Sequence, residues 1–230
     1  MTHRPFRAPH TRTVFLVDVD NTLLDNDAVI VEMKKTLARE VGEERQSRYW
    51  AIFEELRKEL GYADYLGTLQ RYRLEDPHDP NLIAFSTFLL QYPFASRLYD
   101  SALDLLRRLR TFGNVVIFSD GDVVFQPLKV QRSGISDAVD GHVLIYVHKE
   151  LELSEVENRY PADHYVLVDD KIRILTAVKA EWGSRCTTVF PVQGHYAHDA
   201  DVPSYPSPDV TIARIGDLLT MDMQRLVAGA

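Results

Sequence analysis

The feature that most constrains this chain is a set of short, unbroken apolar runs, several of which stop at acidic residues. The first is Thr13-Val-Phe-Leu-Val, followed at once by Asp18. A continuous apolar run of that length suits a strand buried on both faces, as in a parallel sheet. Similar runs occupy Asn114 to Ser119, His142 to Val147, His164 to Val168 and Cys186 to Phe190, with a shorter one at Val210 to Ala213. Helical patterns alternate with them. Tyr99 to Arg110 carries Ala102, Leu103, Leu105, Leu106 and Leu109 ahead of Gly113, and Lys171 to Trp182 carries Ile172, Leu175, Val178 and Trp182 ahead of Gly183. Strands and helices in alternation predict an α/β fold with a parallel sheet.

One interval breaks the alternation. Between the first two strands, Val29, Met33, Leu37 and Val41 recur at helical spacing, as do Tyr49, Ile52, Phe53, Leu56 and Leu60. Asp79-Pro80 is predicted to open a further helix (Leu82, Phe85, Phe88, Leu89) as cap and first-turn residue, with Pro93 closing it. The pattern predicts an all-helical insertion over residues 25–94 inside a discontinuous core of residues 1–24 and 95–230. In Tyr62 to Arg73, Tyr62, Tyr65, Leu69 and Tyr72 read as the packed side of a helix.

In open α/β sheets ligands collect beyond the carboxyl ends of the strands. Here those ends carry Asp18-Val-Asp20-Asn-Thr22, Ser119-Asp120-Gly-Asp122 and Asp169-Asp170. Carboxylates at i and i+2 of an extended backbone share a side. Several gathered at one edge demand a cation or raised pKa values. Hard oxygen donors with few enclosing groups suit Mg²⁺.

Composition excludes some functions. The 230-residue chain is 45% apolar, with a net charge of −8 and a single cysteine. The acidic balance leaves no electrostatic footprint for nucleic acid, and one cysteine forbids an intrachain disulfide. No run approaches a membrane span. Residues 1–12 lack the apolar stretch of a secretion signal and read as a loose tail, so the cytoplasm is the expected compartment. Cys186 reads as inert packing. His195 and His198 read as parts of a polar loop at the cleft edge.

The segment Val17-Asp18-Val19-Asp20-Asn21-Thr22-Leu23 resembles the DxDxT first motif of haloacid dehalogenase superfamily phosphatases. Ser119 is similar to their second motif, Lys149 to their third-motif lysine, and Asp169-Asp170 to their fourth motif. The resemblance runs in order from about residue 13 to 190. It implies a Rossmann-like core with an inserted helical cap and a phosphatase that acts through an aspartyl-phosphate. Asp18 would be the nucleophile and Asp20 the general acid and base. Ser119, the amide of Asp120 and the Lys149 charge would hold phosphate. Asp18, the Asp20 carbonyl and Asp170 would hold Mg²⁺, with Asp169 joining directly or through water.

Lys149 is preferred among the lysines; Lys129 reads as a solvated surface charge, and Lys171 either points at the site or caps its helix. Dehalogenases of the group lack a carboxylate at the position of Asp20, which favours phosphate chemistry. A mutase-type phosphoryl transferase, a dehalogenase-like hydrolase and a non-catalytic binding protein are the alternatives. The expected partner is a small phosphorylated substrate, with no nucleic acid and no membrane, and monomer and homodimer both stay open.

Overall fold

The apolar runs assemble as one sheet. In the computed structural model, which describes residues 12–227, strand β1 (Thr13–Val17) is buried along its whole length. The tail expected over residues 1–12 lies, apart from Arg12, outside the described residues. After β1 come helices α1 (Asn26–Val41), α2 (Glu43–Leu60), α3 (Tyr65–Glu75), α4 (Leu82–Gln91) and α5 (Ala102–Leu109). Strand β2 (Asn114–Asp120), helices α6 (Phe125–Arg132) and α7 (Ile135–Ala138), β3 (Val143–Tyr146) and α8 (Leu153–Arg159) follow. The chain continues through β4 (His164–Val168), α9 (Ile172–Trp182), β5 (Cys186–Pro191), β6 (Val210–Ile212) and α10 (Met223–Val227). The six strands lie in the order β3-β2-β1-β4-β5-β6, and every neighbouring pair is parallel.

Side chains alternate across the sheet, as the strand period requires. Phe15, Val17, Val115, Ile117, Val166 and Val168 enter one apolar layer, shared with α5, α6 and the helices that follow β1. Val14, Leu16, Val116, Phe118, Tyr165 and Leu167 enter the other, against α8 and α9. Burial on both faces explains why these strands read as continuous apolar runs rather than alternating ones.

Helices α1 to α4 form an all-helical cap inserted between β1 and β2. Its aromatic core includes Tyr49, Trp50, Phe53, Tyr65, Tyr72 and Phe85. The chain leaves and re-enters the sheet along adjacent paths: the Asp25 amide donates to the Arg97 carbonyl at 2.8 Å, and the Tyr99 amide to that of Leu23 at 2.9 Å. Asp25 then caps α1 by accepting from the Ala28 amide at 2.9 Å.

Two local expectations are corrected. The helix predicted to open at Asp79-Pro80 starts at Leu82. Asp79 instead stays buried in the preceding turn, accepting from the Tyr72 hydroxyl at 2.5 Å, the Asn81 amide at 2.8 Å and the Arg45 guanidinium at 2.8 Å. Those tertiary partners outbid the helix amides for the carboxylate. Tyr62 precedes α3, which begins at Tyr65 with Asp64 as its cap, so Tyr62 faces a cavity rather than the helix's packed side.

Candidate active site

The site forms where β1, β2 and β4 end side by side. The β1 register aligns Val17 with Ile117 on one flank and Val168 on the other, which brings Asp18, Ser119-Asp120 and Asp169-Asp170 to one edge. The loop after β1 is tied down locally. Asn21 adopts a left-handed backbone (φ 57°), and its side-chain carbonyl accepts from the Asn26 and Asp27 amides at 3.0 and 3.2 Å. Asn and Asp tolerate that conformation better than other side chains. The Thr22 hydroxyl accepts from the Asp170 amide at 3.2 Å, joining the first and fourth segments directly.

Asp18, Asp169 and Asp170 are buried, each offering a carboxylate oxygen within 4.8 Å of the others. Beneath them lies Lys149, fully buried. Its ammonium donates to Asp18 Oδ1 at 2.6 Å and to the Phe118 carbonyl at 2.9 Å, and pairs with Asp169 Oδ2 at 2.6 Å. Lys149 thus ties the Asp18 and Asp169 carboxylates to the end of β2. Burial, which alone would lower its pKa, is outweighed by Asp169 and Asp18, and the lysine stays charged.

One lysine does not balance three carboxylates. Burial raises the pKa of Asp18, with Lys149 opposing and Asp169 reinforcing the shift. Burial, then Asp18 and Asp169, push Asp170 well above the carboxylate range. Asp18 Oδ2 and both oxygens of Asp170 are buried without a hydrogen-bond partner among the described residues. Orphaned buried oxygens of hard character fit a small divalent cation, which would satisfy them and reverse these shifts.

Asp20 stands apart from that cluster. Its carboxylate is partly exposed on the cavity wall and accepts from the Lys129 ammonium at 2.6 and 2.8 Å. Lys129 is therefore not the solvated surface charge expected of it: it is 1% exposed. The signal lay in the local pattern, because Phe125, Gln126, Lys129 and Val130 share the inward face of α6. Ser119 is buried and accepts from the Gln126 amide side chain at 3.0 Å. Asp120 reaches the cavity; one oxygen accepts from the Lys149 amide at 2.9 Å and the other lies 3.5 Å from the Lys171 ammonium. Burial would raise the Asp120 pKa, but Lys149 and Lys171 hold it below the usual value. Of the two roles considered for Lys171, the structure places it at the site.

A cavity of about 340 Å³ opens between this edge and the helical insertion, lined by Asp20, Asn26, Tyr65, Asp120, Lys171 and Tyr196 among others. The loop after β5 closes one side. There the His195 imidazole meets Asp27 at 2.6 Å, and the His195 amide donates to the same carboxylate at 2.8 Å. Asp27 belongs to the first turn of α1, so this pair links cap and core. Sequence reading placed His195 at the cleft edge but carried no sign of its partner. Cys186 is buried in β5. No helix among the described residues is long and apolar enough to cross a membrane.

A doubly covered parallel sheet with a helical insertion after its first strand, and buried carboxylates gathered at its carboxyl edge, defines a hydrolase fold of the haloacid dehalogenase type. The chain belongs to the haloacid dehalogenase-like hydrolase family, whose model matches residues 13–181. Among solved structures, a haloacid dehalogenase-like hydrolase from Burkholderia xenovorans LB400 is 59% identical, with a TM-score of 0.88 over 94% of this chain and 98% of that one. A HAD-hydrolase from Bacillus subtilis, solved bound to magnesium, has a TM-score of 0.61 at 16% identity, over 91% and 97% of the two chains. The L-2-haloacid dehalogenase of Xanthobacter autotrophicus, solved with chloropropionic acid covalently bound, has a TM-score of 0.58 at 17% identity, over 90% and 96%. At such identities the likeness concerns the fold. A search of curated proteins finds no match.

Proposed function

We propose that this hydrolase is a Mg²⁺-dependent phosphatase that acts on a small phosphorylated metabolite, with residues 25–94 as the cap over its site. The observation that carries the reading is the trio of buried carboxylates with orphaned oxygens beside a cavity whose wall holds a further carboxylate, Asp20. Asp18, Asp170 and, directly or through water, Asp169 would hold the cation, with the Asp20 carbonyl as a further donor. Bound there, it would offset the repulsion between an anionic nucleophile and an anionic substrate.

The chain's own residues supply the rest. A carboxylate oxygen of Asp18 forms a bond to phosphorus as the bond to the leaving oxygen breaks, giving an aspartyl-phosphate. Asp20 gives a proton to the leaving oxygen, then accepts one from the water that attacks phosphorus and releases Asp18. Positioned acid–base help of this kind is worth roughly 10²–10⁴ in rate. Lys149 fixes the Asp18 carboxylate for attack. Lys171, the other cation near Asp120, faces the cavity and provides positive charge for the phosphoryl oxygens. A cavity of about 340 Å³ suits a small ligand.

The test is hydrolysis of p-nitrophenyl phosphate with Mg²⁺, expected in the wild type and abolished in Asp18→Asn. Turnover persisting in EDTA or in that variant overturns the mechanism. Halide release from 2-chloropropionate in place of phosphate release would move the protein to the dehalogenase branch.

A further inference from the structure

Lys129 is the one buried lysine of the site that the mechanism above leaves without a task. Its ammonium has three acceptors: Asp20 Oδ1 at 2.6 Å, Asp20 Oδ2 at 2.8 Å and Asn26 Oδ1 at 3.0 Å. Three donors meet three acceptors, so none is free for a substrate oxygen. The rings of Phe94 and Phe125 lie 6.0 and 5.8 Å from the ammonium, which confines it on its apolar side. A charge held among aromatic rings and out of water requires its counter-ion, because an uncompensated buried ammonium is costly.

Asp20 depends on the pair in turn. Among the described residues its carboxylate otherwise accepts a side-chain hydrogen bond only from Gln126, at 3.5 Å, and it stands partly exposed at the cavity wall. From these contacts we infer that Lys129 is the positioning residue for Asp20. It holds both carboxylate oxygens in one orientation toward the cavity and, through Asn26, ties that orientation to the first turn of the cap. Asn26 opens α1, and its amide is itself held by Asn21 at 3.0 Å, so the clamp joins α6 of the core, the loop after β1 and the cap entry. The role of Asp20 as proton carrier rests on the phosphatase reading; the clamp itself does not.

The experiment has a structural arm and a kinetic arm. Crystal structures of the wild type and Lys129→Met are compared at the Asp20 side chain. The Asp20 carboxylate is expected to leave its wild-type orientation in the variant, and an unmoved carboxylate overturns the inference whatever the enzyme hydrolyses. With p-nitrophenyl phosphate and Mg²⁺, Lys129→Met is expected to lower kcat about 10²-fold, the scale of a misplaced catalytic group, while KM stays near the wild-type value. Lys129→Arg should recover part of the loss. In an Asp20→Asn background, Lys129→Met should cost nothing further; an equal further loss would place Lys129 in a role independent of Asp20 and sink the proposal. If Lys129→Met does not fold, Lys129→Gln, which keeps a polar side chain but removes the ammonium, gives the same comparison. A wild type without activity on any phosphomonoester refutes the phosphatase reading and leaves the structural arm to decide the clamp.

Discussion

Replacing Asp170 with asparagine should make the metal-free protein more stable, although most substitutions at a fully buried site destabilise. The three acidic side chains Asp18, Asp169 and Asp170 present oxygens within 4.8 Å of one another, and among the described residues Lys149 is the only cation in contact with them. Two unit charges at 4.8 Å, the upper bound on these separations, repel by about 3.5 kcal/mol at an effective dielectric of roughly 20. Lys149 offsets part of this, so a net relief of about 2 kcal/mol is reasonable for Asp170→Asn, which keeps the side chain's shape. In a chain of this size that corresponds to a rise in Tm of roughly 4–8 °C in EDTA.

The sign with pH follows from the raised pKa of Asp170, caused by burial and then by Asp18. A carboxyl whose pKa is higher folded than unfolded costs stability as pH rises from the unfolded value to the folded one, and the cost stays constant above that. The advantage of the variant should therefore be absent in acid and grow with pH through that window. Added Mg²⁺ should reverse the order, since a ligand at about 100 times its Kd stabilises the form that binds it by about 2.7 kcal/mol. Thermal unfolding of both proteins, with EDTA and with Mg²⁺ across pH, reads all of this. A variant less stable than wild type in EDTA, or one that gains as much from Mg²⁺, would refute the account of the carboxylate cluster.

Two further outcomes test the frame around the site. Gly194 has φ +67°, and a Cβ there would meet the Asn21 side chain at 2.4 Å, so Gly194→Ala should cost about 2 kcal/mol in urea unfolding; an unchanged midpoint would show that the loop after β5 does not rest on Asn21. Asp209 ties β5 and β6 to α9 by accepting from the Thr188 amide at 2.8 Å and pairing with Lys179 at 2.8 Å. Burial would raise its pKa, but Lys179 and Thr188 hold it below the ordinary value. A depressed carboxyl stabilises above its unfolded pKa and loses that contribution as pH falls through the folded one. The stability gap between wild type and Asp209→Asn should be steady from about pH 5 upward and shrink progressively as pH falls below roughly 4 toward the depressed folded value; a gap that does not narrow on acidification would contradict the pairing.

What the chain's order of residues determined by itself is the scaffold and the identity of its acids. The inner strands β1, β2, β4 and β5 were readable because burial on both faces demands an unbroken apolar run, a requirement that five or six consecutive residues can express. The placement of Asp18, Asp120 and Asp169-Asp170 at one edge followed from parallel pairing, which brings like ends together. Boundaries shifted where a side chain found a tertiary partner stronger than its local one, as Asp79 did with Arg45 and Tyr72. Only the folded molecule decided the partners of the charged groups: that Lys149 points beneath Asp18 and Asp169, that Lys129 turns inward onto Asp20, and that His195 meets Asp27. Periodicity reports which face of an element is buried. It does not say what that face meets, because the partner of a long charged side chain depends on how separate elements pack, and that is set by contacts between residues far apart along the chain.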